Sequence, residues 1–464
     1  MPSITFLSRR QFCLSAAAGL GIPGLRAVEV EGPWSGPAVV RRVYLAARRA
    51  SWPRPDLDLK QEVAEIEARI QELEKRYPGQ IRFTGGELLQ PGADWAAWMA
   101  GAAEADVILA FNITHGVLGL LEKLFEAGRP VLMFSKPYAG HGWTHQAVFA
   151  QQGRQADVLA SSNFNDLDVY MRIFGSIRHL RKSKVIVVVP GAKRSSLADD
   201  FAKHFGTTFQ YLTYEDLKTA YDAVDPAQAR QAAEEFMRGA LRIVEPGRDQ
   251  IERALRFWLG AQNVLKQERA NVLTMDCLGG INRGELPGYP CVTFSRLNDQ
   301  GLYGICQAEI DCAMTELLLT SFSGKPGFLA NLVMDTGRNE VIHSHCTAPT
   351  AMLGIGGPAS PYIVRSHLET AAGVSLQVLM PIAETITVAK FENARRLMVS
   401  TGEVTGNVDS ESGCRTQIRT RVKDARKMLA QFRTNVHRVI YYGDYTSSIE
   451  KMGRLMAFEV VQEM

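Results

Sequence analysis

Residues 117–135 read VLGLLEKLFEAGRPVLMFS, a helical segment that stops at Gly128 and passes at once into an apolar strand. The same alternation extends in both directions. Upstream, RVYLAA (42–47) is a strand, and KQEVAEIEARIQELEKRY (60–77) places Val63, Ile66, Ile70 and Leu73 at helical spacing. IRFTG, a helix around Trp95–Ala103 and the strand DVILAF (106–111) complete the run. Downstream, helix DLDVYMRIFGSIRHL leads to KVIVVVPG (184–191), apolar throughout, as a strand at the centre of a sheet should be. FQYLTY (209–214) and a helix-rich stretch over 226–268 follow. Strand–helix–strand rhythm of this kind implies parallel sheets covered by helices on both faces.

From about residue 270 the texture changes. Gly, Pro, Cys and Thr become frequent, and YIVRSH, VSLQVLMPI, TITVAKFE and RRLMVSTGEV arrive at close intervals. That spacing predicts an antiparallel sheet or barrel. HRVIYYGDY and SSIEKMGRLMAFEV then return to strand and helix. The expected fold class is α/β: two doubly wound parallel domains over 38–180 and 181–268, then a β-rich, barrel-like domain over 269–464.

The N-terminus carries SITFLSRRQFCLSAAAGLGIPGLRA, with Arg9-Arg10, a weakly apolar run and a small residue at Ala27. This order predicts a twin-arginine export signal over 1–27, a linker over 28–37, and a periplasmic or otherwise extracytoplasmic location. The formal charge is +3, and Arg9, Arg10 and Arg26 lie within the signal, so the remainder is near neutral. Net charge therefore gives no support to a nucleic-acid partner. No later segment has an apolar run long enough to span a bilayer. Neither GxGxxG nor a Walker A sequence is present, which disfavours a nucleotide-using enzyme. The cysteines beyond Cys13 contain no CxxC pair and read as buried free thiols.

Three late segments concentrate polar groups in apolar surroundings: CQAEIDC (306–312), NLVMDTGRNEVIHSHC (331–346) and NVHRVIYYGDY (435–445). Carboxylates with an imidazole suit Mn²⁺ or Mg²⁺ better than a structural zinc. Each residue also has a plainer explanation. Glu309 sits where a helix-start carboxylate would be favoured by the helix dipole. Asp335-Thr-Gly-Arg fits a turn, and LGIGGP (353–358) fits a tight turn better than a phosphate cradle.

With PCVTFSRLNDQGLYGICQAEIDCAMTELLL, PGFLANLVMDTGRNEVIHSHC, SPYIVRSHLE and HRVIYYGDY, the chain resembles the sugar-isomerase family that includes L-fucose and L-arabinose isomerases, closest to its fucose isomerase-related branch. The resemblance implies two N-terminal α/β domains, a homo-oligomer and a small sugar substrate, a deoxy-sugar or a pentose. It further implies a divalent cation, usually Mn²⁺, held by two carboxylates and a late histidine. Such a cation polarises a carbonyl while acid and base groups move a proton through an enediol. His437 matches the late histidine. Where the family has Cys-Glu-Ala-Asp, this chain reads Cys306-Gln307-Ala308-Glu309, and the F-x-x-D position holds Asn331.

Two functions follow. In the first, an isomerase-like enzyme, Glu309 and Asp335 act as acid, base or metal carboxylates beside His345 and His437. In the second, a non-catalytic carbohydrate-binding protein keeps the scaffold, with Gln307, Asn331 and His367 as substrate-binding or altered family-site positions.

Overall fold

The computed structural model describes residues 32–463, and the twin-arginine segment lies outside the described residues. Residues 32–37, expected to be linker, are tied down. Pro33–Ser35 forms a 3-10 turn with Trp34 buried. Arg178 Nε donates to the Gly36 carbonyl at 2.9 Å, and Nη2 donates to the Pro33 carbonyl at 3.2 Å. A tether made through backbone carbonyls leaves no trace in composition.

The first sheet has five parallel strands: β1 (Ala38–Leu45), β2 (Ile81–Leu89), β3 (Val107–Asn112), β4 (Val131–Ser135) and β5 (Ala156–Ala160), in the order β2-β1-β3-β4-β5. β3 and β4 are buried along their whole length, as strands covered on both faces must be. One face packs Val43, Leu45, Ile108 and Ala110 with Leu121 and Leu124, while Tyr44, Leu109 and Phe111 face the main core. Helices start where an acceptor is available. Asp58 accepts from the Lys60 and Gln61 amides at 2.9 and 3.0 Å, and Asp94 accepts from Ala97 at 3.1 Å. The helical segment of 117–128 ends on Gly128 at φ 61°, the left-handed stop expected of glycine.

Helix Asp168–Lys182 crosses to the second sheet. Here β6 (Lys184–Val188) and β7 (Thr208–Leu212) are followed by the two-residue β8 (Arg242–Ile243), then β9 (Val272–Met275) and β10 (Tyr303–Ile305). The sheet is parallel, in the order β10-β9-β6-β7, with β8 elsewhere. Half its strands thus come from beyond residue 268, inside the stretch expected to be the β-rich domain. β9 and β10 are too short to register as a period. β10 also contains Gly304, where an added Cβ would lie 2.5 Å from the Phe294 Cα.

The remaining strands are β11 (Phe328–Asp335), β12 (Glu340–His345), β13 (Tyr362–His367), β14 (Ala372–Val378), β15 (Thr385–Asn393), β16 (Arg396–Asn407), β17 (Thr416–Val422), β18 (His437–Tyr442) and β19 (Glu459–Gln462). Six of them close an antiparallel barrel in the order β15-β18-β11-β12-β17-β16, with β16 pairing back to β15. Closure removes the free edges that an open sheet would present. β19 adds in parallel to the far end of β16. The hairpin β13–β14 lies outside the barrel and pairs with β8.

The main apolar core runs from Phe111 in the first sheet through Val187 in the second to Ile386 in the barrel. Helix Ile310–Ser323 is its central piece, buried on nearly every side and packed against both helix Asp168–Lys182 and β15. The fold is therefore α/β, with parallel sheets followed by a closed barrel. Among the described residues, no helix is long and apolar enough to cross a membrane.

Candidate functional site

The turn Cys306–Ala308 joins β10 to helix Ile310–Ser323 and carries the first group of side chains. Gln307 and Ala308 have φ of 59° and 54°, two consecutive non-glycine residues in the left-handed region. Each such residue costs about 1–2 kcal/mol, and strain of this kind gathers at functional sites. Replacing Gln307 with Gly should relieve part of it. We expect Gln307→Gly to stabilise the fold by about 1 kcal/mol in urea denaturation, while removing the side chain from the cleft beside it.

That cleft is lined by Gln307, Asn331, His345, His367 and Glu369, with several thiols and the apolar Leu278, Ile281 and Pro290. The space between them is about 430 Å³ with its mouth included, but it is narrow: a water-sized sphere moves within only about 30 Å³ of it. Barrel register brings the walls together, since Asn331 stands opposite His437 on β18 and Ser344 on β12. His345 accepts from or donates to the Thr347 hydroxyl through Nδ1 at 3.0 Å. Burial, with His437 next, pushes its imidazole down to about 3, so it is neutral near pH 7. His367 contacts the Thr370 hydroxyl at 3.3 Å and packs against the Tyr289 ring.

Glu309 belongs to a second group, behind the cleft wall. Its side chain makes no cap on the helix that follows. Instead Lys390 Nζ reaches Glu309 Oε2 at 2.9 Å and Asp311 Oδ2 at 3.2 Å. Asn435 Nδ2 donates to Glu309 Oε1 at 2.7 Å, and the Asn435 oxygen accepts from Lys390. His437 Nδ1 lies 3.2 Å from the same Oε1, close but not aligned for a hydrogen bond, and its Nε2 is buried without a partner. The His345 and His437 rings meet edge to face, 5.6 Å apart, and join the two groups.

Electrostatics divide the two acids. Burial alone would raise the Glu309 carboxyl, but His437, the Lys390 ammonium and the Asn435 amide overcome it and hold the group well below the usual carboxylate range. Burial wins at Asp311, whose carboxyl is pushed up to about 6 despite Lys390, with the neighbouring Glu309 adding to the rise. Burial also opposes the charge of Lys390, yet Cys312, Asp311 and Glu309 keep it above its ordinary value.

A pH dependence follows with opposite signs. Between its ordinary 3.8 and about 6, Asp311 is more protonated folded than unfolded, so its contribution to stability falls as pH rises through that window. Glu309 does the reverse: its contribution is complete above the ordinary 4.5 and is lost as pH falls below it. Asp311→Asn should therefore gain stability relative to the parent from about pH 4 to about pH 6 and then level off. Urea titrations across that range measure the difference.

The expected site is thus partly assembled. Glu309, His345 and His437 come together, and Gln307, Asn331 and His367 share the adjoining cleft. Asp335 does not join them. It ends β11 and accepts from the Gly337 and Arg338 amides at 3.1 and 3.2 Å, a turn carboxylate four residues along the strand from Asn331. At about 3.3 Å per strand residue that is roughly 13 Å away. Lys390 and Asn435 escaped the sequence reading. The available signal was a single lysine within the buried apolar run of TITVAKFE.

A Mn²⁺-class cation does not fit these donors. Among the described residues one group has metal-like spacing, Glu309, Asp311 and Cys312, with ligand atoms within 4.8 Å of one another. The Lys390 ammonium contacts both of its carboxylates, and a second cation there would meet strong repulsion. The family-site positions Gln307 and Asn331 are neutral amides, which offer carbonyl oxygens but no charge to offset a divalent ion. Comparisons with known protein families and with curated proteins give no match.

Proposed function

We propose that this chain is a carbohydrate-binding protein on a sugar-isomerase-like scaffold, exported by the twin-arginine route, without metal-dependent isomerase chemistry. One observation carries the choice: Glu309, the acid retained in the family's motif, is bound to Lys390 and Asn435 and does not line the cleft, where the carboxylate present is Glu369. What does line it includes the neutral polar groups of Gln307, Asn331 and His345, beside one carboxylate, Glu369. Amides and the neutral His345 imidazole both donate and accept, and a carboxylate accepts, which suits hydroxyl groups. The water-sized free space is only about 30 Å³, below the usual range of ligand sites, so a sugar ring enters only as the walls of the cleft open.

The test is a thermal-shift and calorimetric survey of deoxy-sugars and pentoses, with and without Mn²⁺. A sugar that raises the melting temperature equally in the presence of chelator supports the proposal. Asn331→Ala should weaken that binding by about tenfold, near 1.4 kcal/mol, typical of losing a hydrogen-bond partner. The Glu309–His437 approach favours the second reading, an aldose–ketose isomerase using that pair as acid and base. Conversion of an aldose to its ketose by the purified chain, lost in Glu309→Gln, would establish that reading and overturn ours.

A further inference from the structure

Five of the six described cysteines line the cleft. Two of them touch: the Cys277 and Cys306 sulfurs lie 3.0 Å apart, and both residues are buried. They leave the carboxyl ends of the adjacent parallel strands β9 and β10, whose register pairs Thr274 with Ile305. The Thr274 hydroxyl donates to the Ile305 carbonyl at 3.0 Å and ties the strands at that level. Strand spacing of about 4.8 Å falls within the roughly 4.4–6.8 Å that a disulfide spans between Cα atoms. A disulfide holds its sulfurs about 2.05 Å apart, so this pair has roughly 1 Å left to close.

We infer that Cys277 and Cys306 are a reversible dithiol–disulfide couple in the wall of the cleft, and that its oxidation moves the turn carrying Gln307. The two sides of the pair are held differently. On the Cys277 side, the Asp276 carboxylate accepts from the Gly279 amide at 3.0 Å, and the Tyr214 hydroxyl donates to the Asp276 carbonyl at 2.9 Å. On the Cys306 side the chain enters the turn in which Gln307 and Ala308 both have positive φ. The strained turn is the part that gives, so closing the bond shifts Gln307 in the cleft. The narrow interior, about 30 Å³, admits a molecule little larger than water and no protein oxidant. A hydroperoxide as small as hydrogen peroxide meets that limit.

The two thiols have distinct parts in that reaction. The Cys306 S–H lowers the Cys277 thiol against the effect of burial, helped by the Gln307 and Leu278 amides. Cys277 is therefore the attacking thiolate. Its sulfur attacks one peroxide oxygen, the O–O bond breaks, and the departing hydroxide takes up the proton that Cys277 shed, leaving as water. Cys277 is then a sulfenic acid. The Cys306 sulfur attacks it, the S–O bond breaks, and hydroxide leaves with the Cys306 proton as a second water. Two electrons pass from the sulfurs to the peroxide, and one S–S bond forms.

The inference rests on the thiol geometry and stands apart from the sugar reading and from export. The full chain, reduced and then freed of reductant, is treated with one equivalent of hydrogen peroxide, alkylated, digested and mapped by mass spectrometry. We expect two thiols lost per chain and a Cys277–Cys306 linked peptide at least tenfold more abundant than any other disulfide. A phosphine should restore both thiols. Cys306→Ser should stop Cys277 at the sulfenic acid, which dimedone captures, and Cys277→Ser should slow thiol loss at least tenfold. Circular dichroism checks that the variants fold, and the peptide map of the parent decides if they do not. Cys414, the half-buried thiol of the cleft, reports the movement of the turn. Its alkylation rate by iodoacetamide should change at least threefold between the reduced and disulfide forms. Thiol loss spread over all the cysteines, a different dominant disulfide, no loss at all, or an unchanged Cys414 rate would overturn the proposal.

Discussion

Lys390→Met should destabilise the fold by about 3–5 kcal/mol, the cost of removing one partner from a buried ion cluster. Lys390 is completely buried, and its ammonium contacts Glu309, Asp311 and the Asn435 oxygen. Without it Glu309 keeps only the Asn435 amide and the misaligned His437, and Asp311 faces a like charge unshielded. Protonation offers partial escape, so the loss should shrink as the pH is lowered, starting above the parent's value of about 6 because Lys390 is one of the groups that hold the Asp311 carboxyl down. A triple variant, Lys390→Met with Glu309→Gln and Asp311→Asn, removes the stranded charges and should regain most of the loss. Urea denaturation of the single and triple variants measures both. A single-variant loss under about 1 kcal/mol, the range of exposed pairs, would mean the cluster is wet and unimportant.

Arg438→Met is the second large effect, also about 3–5 kcal/mol. Arg438 is fully buried, and its guanidinium donates to Glu463 at 2.9 and 2.7 Å. It also donates to the Arg433, Asn435 and His437 carbonyls at 3.0, 2.9 and 2.8 Å. The planar fork suits this multidentate role, and a lysine cannot reproduce it. Arg438→Lys should therefore recover little. A double-mutant cycle with Glu463→Gln isolates the pair's own coupling. Because Arg438 fixes the carbonyl of Asn435, its loss should also loosen the residue that holds Glu309. Urea midpoints for the three variants, with proton NMR of the His437 ring, follow both consequences.

The parallel sheets were legible because long apolar runs such as KVIVVV and helices stopped by glycine write their period into neighbouring residues. YIVRSH was legible to the residue, since β13 spans Tyr362–His367. β9 and β10 were not, because four and three residues carry no period, and the pairing of β9 with β6, and of β10 with β9, is settled by distant chain. The same division holds at the site. The segments that supply it could be named, because buried polar residues stand out in apolar surroundings. Which acid meets which cation could not, since Glu309 and Lys390 are 81 residues apart and joined only by barrel packing. Asp335 misled because a carboxylate in a hairpin turn and one in a site look alike until the turn amides are placed. The cysteines were legible as mostly buried free thiols, while the 3.0 Å approach of the Cys277 and Cys306 sulfurs needed the fold.

Helix Ile310–Ser323 has a consequence for how the chain comes apart. It leaves the site turn, runs through the common core and packs on helix Asp168–Lys182, with Arg172 Nε donating to the Phe322 carbonyl at 3.1 Å. A fragment starting near residue 269 would bare one whole flank of this helix to water, and would also take β9 and β10 from their sheet. We expect such a fragment to aggregate on expression, and the intact chain to melt in a single calorimetric peak. A gene cut at the visible change in texture would cut through the middle of a cooperative unit.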